Sequence, residues 1–204
     1  INFKCSYVYL PLSYQPELAS SPEGDIFVDQ LLMIKLIALN LPKDWTLYIK
    51  EHPVQFTYNL GTNANVRSLK FYDEIKFYKN VELIPMNITP FKLIDNAKAI
   101  ATITGTSGWE ALLRKKPVIY FGYPWWQGCY GSFYVSNSKD INNAFKIIKN
   151  SFVYDEEKIK LFINLIEKYS CNADIFWDYN KICNSKEKVK KSVLEMHKIL
   201  NNSL

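Results

Sequence analysis

The sequence predicts an α/β protein: a doubly wound parallel sheet covered by helices on both faces, with a helical extension at its end. Three observations predict it. The strand-like segments are short, continuous apolar runs, as strands buried on both faces are. They alternate with segments of helical periodicity, the pattern of crossover units in a parallel sheet. Glycine, proline, serine and threonine gather in the loops that follow the strands. A length of 204 residues suits one such domain plus an extension. We place the domain at residues 1–150 and the extension, helices packing on it, at residues 151–204.

The elements follow in order. Tyr7 to Leu12 (YVYLPL) is an aromatic and β-branched run that reads as a buried strand. Ser13 to Asp25 holds two prolines, three serines and a glycine, and is a loop. Asp25 or an earlier serine can cap a helix over about Ile26 to Asn40, where Phe27, Leu31, Ile34 and Ala38 recur at helical spacing. Trp45 to Ile49 is a second strand, and Val54 to Val66 a long polar loop. Arg67 to Tyr78 reads as a helix, Val81 to Ile84 as a third strand, and Pro90 to Asn96 as a short helix. Ala99 to Thr104 (AIATIT) is a fourth strand, Ser107 to Arg114 a helix and Pro117 to Phe121 (PVIYF) a fifth strand. Ile141 to Lys149, Asp155 to Tyr169 and Lys186 to Leu200 close the chain as helices.

Composition excludes several classes. A hydrophobic fraction of 48% and a charged fraction of 22% are those of a soluble globular chain, not of a disordered or fibrous one. No apolar run reaches the roughly eighteen residues of a membrane span, and no signal peptide opens the chain. Ile1 rather than Met leads almost directly into an apolar strand, so we read the chain as a piece of a longer protein. Net charge is a modest +5, with Lys181, Lys186, Lys188, Lys190, Lys191 and Lys198 gathered near the end. That run reads first as a solvated helix face; an anionic membrane surface or an acidic polymer is the alternative partner. No nucleic-acid motif accompanies it. Cys5, Cys129, Cys171 and Cys183 form no CxxC pair, which argues for reduced thiols in the cytoplasm and against zinc or a disulfide framework.

Ligands of doubly wound sheets bind at the carboxyl ends of the strands, which points to four loops. Thr104-Gly105-Thr106-Ser107-Gly108-Trp109-Glu110 follows a strand and opens a helix. Its backbone N–H groups, glycines and hydroxyls suit a phosphate, and Glu110 could accept from ribose hydroxyls. The competing reading is an ordinary capped turn, with Thr106 or Ser107 as cap and Glu110 closing a capping box. It is neither a Walker loop nor the dinucleotide glycine fingerprint. Lys50-Glu51-His52-Pro53 also follows a strand. His52 there can donate to phosphate or shuttle a proton, or be structural; Lys50 and Arg67 could add positive charge. Ser13 to Glu17 offers Gln15 and Glu17 as groups fixed beside prolines, or is a plain surface turn. Gly122 to Gly128 carries Trp125 and Trp126, which either cover a ring of a ligand, meet a neighbouring domain, or pack in the core.

Taken together these segments resemble the capsule polysaccharide biosynthesis proteins, the group that includes bacterial β-Kdo transferases. The matching stretches are YLPLSYQPE (Tyr9 to Glu17), DQLLMIKLIALNLPKDWTLYIKEHP (Asp29 to Pro53) and ATITGTSGWEALLRKKPVIYFGYPWW (Ala101 to Trp126). The likeness covers roughly the first 130 residues; the His-Pro pair followed by a hydroxyl-rich turn also resembles bacterial sialyltransferases that use CMP-sugars. The resemblance implies one Rossmann-like half of a GT-B glycosyltransferase, the C-terminal, donor-binding half, with the acceptor domain N-terminal to it and absent from this chain. It implies that His52 contacts the nucleotide phosphate, that Thr104 to Ser107 hold that phosphate, and that Glu110 binds ribose. The donor would be a CMP-linked sugar such as CMP-Kdo and the acceptor a glycan or lipid-linked glycan, at the inner face of the cell membrane. No metal is called for, since no Asp-x-Asp cluster stands in a suitable loop, and no cofactor is expected, the nucleotide-sugar donor being a substrate. Two departures stand out: Ser13 where relatives often place histidine, and Lys115-Lys116-Pro117 where Gly-Lys-Pro is usual. Rival readings are a CDP-polyol phosphate transferase of teichoic-acid type, a nucleotide-sugar epimerase, and a non-catalytic domain that binds polysaccharide or scaffolds its export.

Overall fold

The computed structural model describes residues 1–15, 20–56, 67–171 and 186–202. Glu17, Lys181, Cys183 and most of the loop expected over Val54 to Val66 lie outside the described residues. The chain divides into two compact units, residues 1–155 and 156–204.

The first unit is built on β1 (Ser6–Pro11), β2 (Trp45–Lys50), β3 (Val81–Leu83), β4 (Ala99–Thr102), β5 (Val118–Tyr120) and β6 (Ser132–Tyr134). All neighbouring pairs are parallel, in the order β3-β2-β1-β4-β5-β6. This is the Rossmann-like, doubly wound sheet that the apolar runs predict. The chain lays β2 and β3 on one side of β1, then returns to lay β4, β5 and β6 on the other. The order therefore reverses between β1 and β4, where loops leaving adjacent strands part and open a crevice.

Register assigns the faces. Tyr9 lies opposite Tyr48 and Ile100, and Ile100 opposite Val118, so these share one face with Tyr7, Thr102 and Tyr120. The other face carries Val8, Leu10, Leu47, Ile49, Ala99, Ala101 and Ile119 into the main core. There they meet Met33, Ile34 and Ile37 of α1 (Gln30–Asn40) and Ile141, Ala144 and Phe145 of α5 (Ser138–Asn150). On the tyrosine face the Tyr7 hydroxyl donates to the Leu93 carbonyl, 2.7 Å, in α3 (Pro90–Asn96). Burial on both faces is why these strands carry no polar alternation.

Two sequence expectations need correction. First, β6 was not anticipated: a three-residue strand at the sheet edge, half-exposed throughout, leaves too short a pattern to separate from the preceding loop. Second, the helix expected from Ile26 to Asn40 is two elements. Asp25–Val28 is a single 3-10 turn, and α1 starts at Gln30. Asp29 between them is extended, and its carboxylate accepts from the Leu31 N–H at 3.0 Å, so Asp29 rather than Asp25 is the cap. The remaining helices of this unit, α2 (Leu69–Lys76) and α4 (Thr106–Leu113), fall close to their expected spans. The second unit contains α6 (Glu156–Lys168) and α7 (Lys186–Asn202). Among the described residues no helix is long and apolar enough to cross a membrane.

Candidate functional site

Four loops stand in a row along the carboxyl edge, after β2, β1, β4 and β5. On the far side of the crevice β4 ends at Thr102, whose hydroxyl accepts from the Gly105 N–H at 3.1 Å and turns the chain into α4. A Cβ on Gly105 would lie 2.7 Å from that oxygen, so the turn requires glycine. Gly105 is the N-cap, extended at φ −64° and ψ 148°, and no side chain caps the helix. The capping box is therefore not formed: the third helical residue is Gly108, and Glu110 stands two positions too far along. The first N–H groups of a helix have no partner inside it; that of Gly108 takes the Gly105 carbonyl at 3.0 Å, and Thr106 and Ser107 precede it at the positive end of the helix dipole. Thr106 is exposed, while Thr104, Gly105, Ser107 and Glu110 are half-buried. The Tyr9 hydroxyl is pushed up first by burial and then by the Glu110 carboxylate.

Gly108 has a second purpose. The indole of Trp126 is fully buried against it, and a Cβ there would lie 2.3 Å from Cζ2 of that ring. Trp126 is thus a core residue, set edge-on to Tyr120 with ring centroids 5.4 Å apart. Trp125 points the other way: it is 53% exposed and its ring lies 4.9 Å from that of Trp109. The tryptophan pair therefore divides between the core and the surface.

On the near side, polar side chains hold the loops. Leu12 prolongs the β1 ladder, its N–H donating to the Lys50 carbonyl at 2.9 Å. Ser13 is then clasped by the buried Gln30 amide, which accepts from its N–H and donates to its carbonyl, both at 3.0 Å. Gln15 is clasped in the same way by buried Gln55, at 3.0 and 2.8 Å. The Gln15 side chain itself donates to the Val28 carbonyl at 3.1 Å. Lys50 is 4% exposed, donates from Nζ to the Ile88 carbonyl at 2.5 Å, and has its ammonium pushed down by burial. Glu51 and Arg67 are both buried, with Oε1 3.3 Å from Nη1. Arg67 Nη2 donates to the Ser13 carbonyl. Burial pushes that guanidinium down, and Glu51 pushes it back up.

His52 follows β2 and is half-buried. Its Nδ1 accepts from the Val54 N–H at 3.2 Å, which assigns the ring proton of the neutral form to Nε2. The Tyr14 ring lies 6.1 Å away, centroid to centroid. Because β2 and β4 flank β1, His52 and the Thr104 to Ser107 turn leave the sheet two strand spacings apart, about 10 Å. The structure thus puts His52 and that turn on one edge, with Glu110 behind the turn, whereas the side chains of Gln15, Lys50, Glu51 and Arg67 are engaged within the protein. Two surface clefts of about 350 and 340 Å³ lie along α1 and α2, not at the start of α4. Sequence reasoning overlooked Gln30, Gln55 and Tyr72. Only Gln30 offered a signal, as the lone polar residue opening the apolar run QLLMI.

Comparison with known proteins adds the following. The model of a family described as "Capsule polysaccharide biosynthesis protein" matches residues 22–131, more than half of the chain and all of the far side together with His52. No curated protein matches the sequence. Among solved structures, the chain is similar to KpsC, the β-Kdo 2,7 transferase of Thermosulfurimonas dismutans, with TM-score 0.50 and 17% identity over 79% of this chain and 54% of that one. It is also similar to the UDP-GlcNAc 2-epimerase from Methanocaldococcus jannaschii, with TM-score 0.52 and 20% identity over 83% and 47%. A structure of that epimerase in complex with UDP-GlcNAc and UDP gives TM-score 0.48 and 18% identity over 81% and 45%. The chain spans about half the length of these structures. At such identities the likeness is one of fold, that of a Rossmann-like half of GT-B glycosyltransferases and epimerases.

Proposed function

This chain belongs to the capsule polysaccharide biosynthesis protein family, and from that premise we propose that it is the donor-binding half of a glycosyltransferase using a CMP-linked sugar such as CMP-Kdo. The observation that carries the reading is the start of α4. It is an uncapped helix N-terminus at the point where strand order reverses, with hydroxyls on both sides and His52 across the crevice. A donor phosphate there would be met by the backbone of Thr106 and Ser107, by the hydroxyls of Thr104, Thr106 and Ser107, and by the helix dipole. Glu110 would accept from the ribose hydroxyls, and Nε2 of His52 would donate to the phosphate. As the bond from the sugar's anomeric carbon to the phosphate oxygen breaks, the electron pair stays on that oxygen and its charge grows. A donor aimed at it gains strength in the transition state. The acceptor hydroxyl, on a glycan or a lipid-linked glycan, forms the new bond and gives its proton to a base outside this chain, on the N-terminal half. The proposed setting is the cytoplasmic face of the cell membrane.

The test is His52→Ala in the complete enzyme, with turnover corrected for folded fraction by circular dichroism. Turnover should fall about 10²–10³-fold while nucleotide affinity changes far less, since the turn holds the ground-state phosphate. Unchanged turnover removes His52 from the mechanism. Competition between CMP-Kdo and CDP-glycerol distinguishes sugar transfer from polyol-phosphate transfer, and calorimetry that finds binding of neither CMP nor UDP favours the scaffold reading.

A further inference from the structure

We infer that Arg67 and Glu51 form a strut that positions His52 and the Ser13 to Gln15 turn, and that neither touches the donor. The inference rests on the reading that His52 serves the donor phosphate, but its geometry stands without it. The Arg67 side chain is 2% exposed and its charge is already faced by the Glu51 carboxylate, itself 7% exposed. A group that captures an incoming phosphate has to meet solvent while the site is empty; this guanidinium lies instead over the Phe71 ring, 4.9 Å from its centroid.

What the pair does is join three segments. Arg67 stands just before α2 and reaches back to the Ser13 carbonyl after β1. Glu51 uses both oxygens locally: Oε2 accepts from the His52 N–H at 3.2 Å, and Oε1 from the Tyr72 hydroxyl at 3.0 Å. The Tyr72 phenol is pushed up to about 12, by burial first and then by that carboxylate, so it remains a donor at neutral pH. One buried pair therefore ties the loop after β1, the loop after β2 and the start of α2. Among the described residues Nε and Nη1 of Arg67 have no hydrogen-bond partner, and the 3.3 Å approach to Glu51 is ionic contact without hydrogen-bond alignment. An ion pair so incompletely satisfied is a poor source of stability compared with apolar packing. Its return is geometric: it sets the backbone from which the His52 ring projects.

A strut and a phosphate ligand respond differently to substitution. Lysine is itself a competent phosphate binder but cannot reproduce a planar fork. We would prepare Arg67→Lys, Arg67→Met, Glu51→Gln and Tyr72→Phe in the 204-residue chain carrying His197→Gln, so that His52 gives the only imidazole ¹⁵N signals. Each would be paired with CMP titration by calorimetry. The strut predicts that Arg67→Lys shifts the His52 nitrogens as Arg67→Met does, and that Glu51→Gln shifts them too. CMP affinity should fall about tenfold in each, the worth of one misdirected charge-assisted hydrogen bond. Unmoved His52 signals in Arg67→Lys with CMP affinity retained, or tighter CMP binding in Glu51→Gln, overturn it, because then Arg67 acts as a charge on the ligand. Should the Arg67 variants fail to fold, Tyr72→Phe decides: a smaller shift in the same sense supports the strut, and none overturns it. Absence of any CMP binding defeats the reading of a CMP-linked donor alone, since the imidazole signals still report on the strut.

Discussion

On the β1 and β2 side of the crevice the loops are held chiefly by polar side chains, whereas on the β4 and β5 side close packing joins a few side-chain bonds, such as that of the Thr102 hydroxyl to the Gly105 N–H. Gln30, Gln55, Arg67 and Glu51 supply the near side with hydrogen bonds to backbone groups. The far side has an uncapped helix start, set in place by the Trp126 ring seated against Gly108. Gly122 in the following loop extends this steric logic, since a Cβ there would lie 2.4 Å from the Glu23 carbonyl oxygen. The difference is instructive. A donor tied up inside the protein is lost to a ligand, so a surface meant to receive an anion is better fixed by packing than by hydrogen bonds. A histidine that must point in one direction gains from hydrogen bonds to its own backbone.

The comparison breaks most readily at Gly108. In an ordinary helix Gly→Ala adds about 1 kcal/mol of stability. Here the added methyl meets a fully buried indole at 2.3 Å, so overpacking should win, and Gly108→Ala should lose about 3 kcal/mol in urea denaturation. Trp126→Phe in the same chain should return part of that loss. A Gly108→Ala chain as stable as the parent would show that the far side is not held by shape.

On the near side Gln30→Ala tests the polar half. It removes both bonds of the clasp on Ser13 and leaves a half-buried N–H without its acceptor, a loss of about 1 kcal/mol. The start of α4 shares no hydrogen bond with Gln30, so CMP affinity measured by calorimetry should weaken only slightly. A large loss of affinity with little loss of stability would make Gln30 part of the site itself.

How much of this was legible beforehand divides along the same line. Five strands and the placement of His52 and the Thr104 to Ser107 turn on one edge follow from local pattern, because burial on both faces leaves apolar runs that end where the loops begin. The clasps are invisible to local pattern: Gln30 meets Ser13 across 17 residues, Gln55 meets Gln15 across 40, and Arg67 meets Ser13 across 54. Arg67 read alone suggested positive charge for a phosphate, and only burial reveals its engagement with Glu51. Trp126 read equally well as core or cover until Gly108 was seen to accommodate it. Local chemistry shows which groups could act; tertiary packing decides which of them are occupied elsewhere.

The smallest effect sharpens the comparison at the far end of α4, where the backbone calls for glycine and does not have it. Lys115 adopts φ 64°, its N–H donates to the Leu112 carbonyl at 3.1 Å, and the Lys116 N–H to the Ala111 carbonyl at 2.9 Å. That pattern is a Schellman end, whose left-handed residue is usually glycine. A side chain in this conformation costs about 1 kcal/mol. Against it stands the Lys115 ammonium over the Tyr154 ring, 5.5 Å from the centroid, worth about 0.5 kcal/mol at an exposed position. The left-handed penalty is the larger, so Lys115→Gly should stabilise the chain by about 0.5 kcal/mol, a rise of roughly 1–2 °C in Tm for a chain of this size. Lys115→Ala separates the two contributions: it keeps the Cβ and loses the ring contact, and should therefore lower Tm. If both variants lower Tm by the same amount, the ring contact governs this turn and the steric rule of the far side stops short of the end of α4.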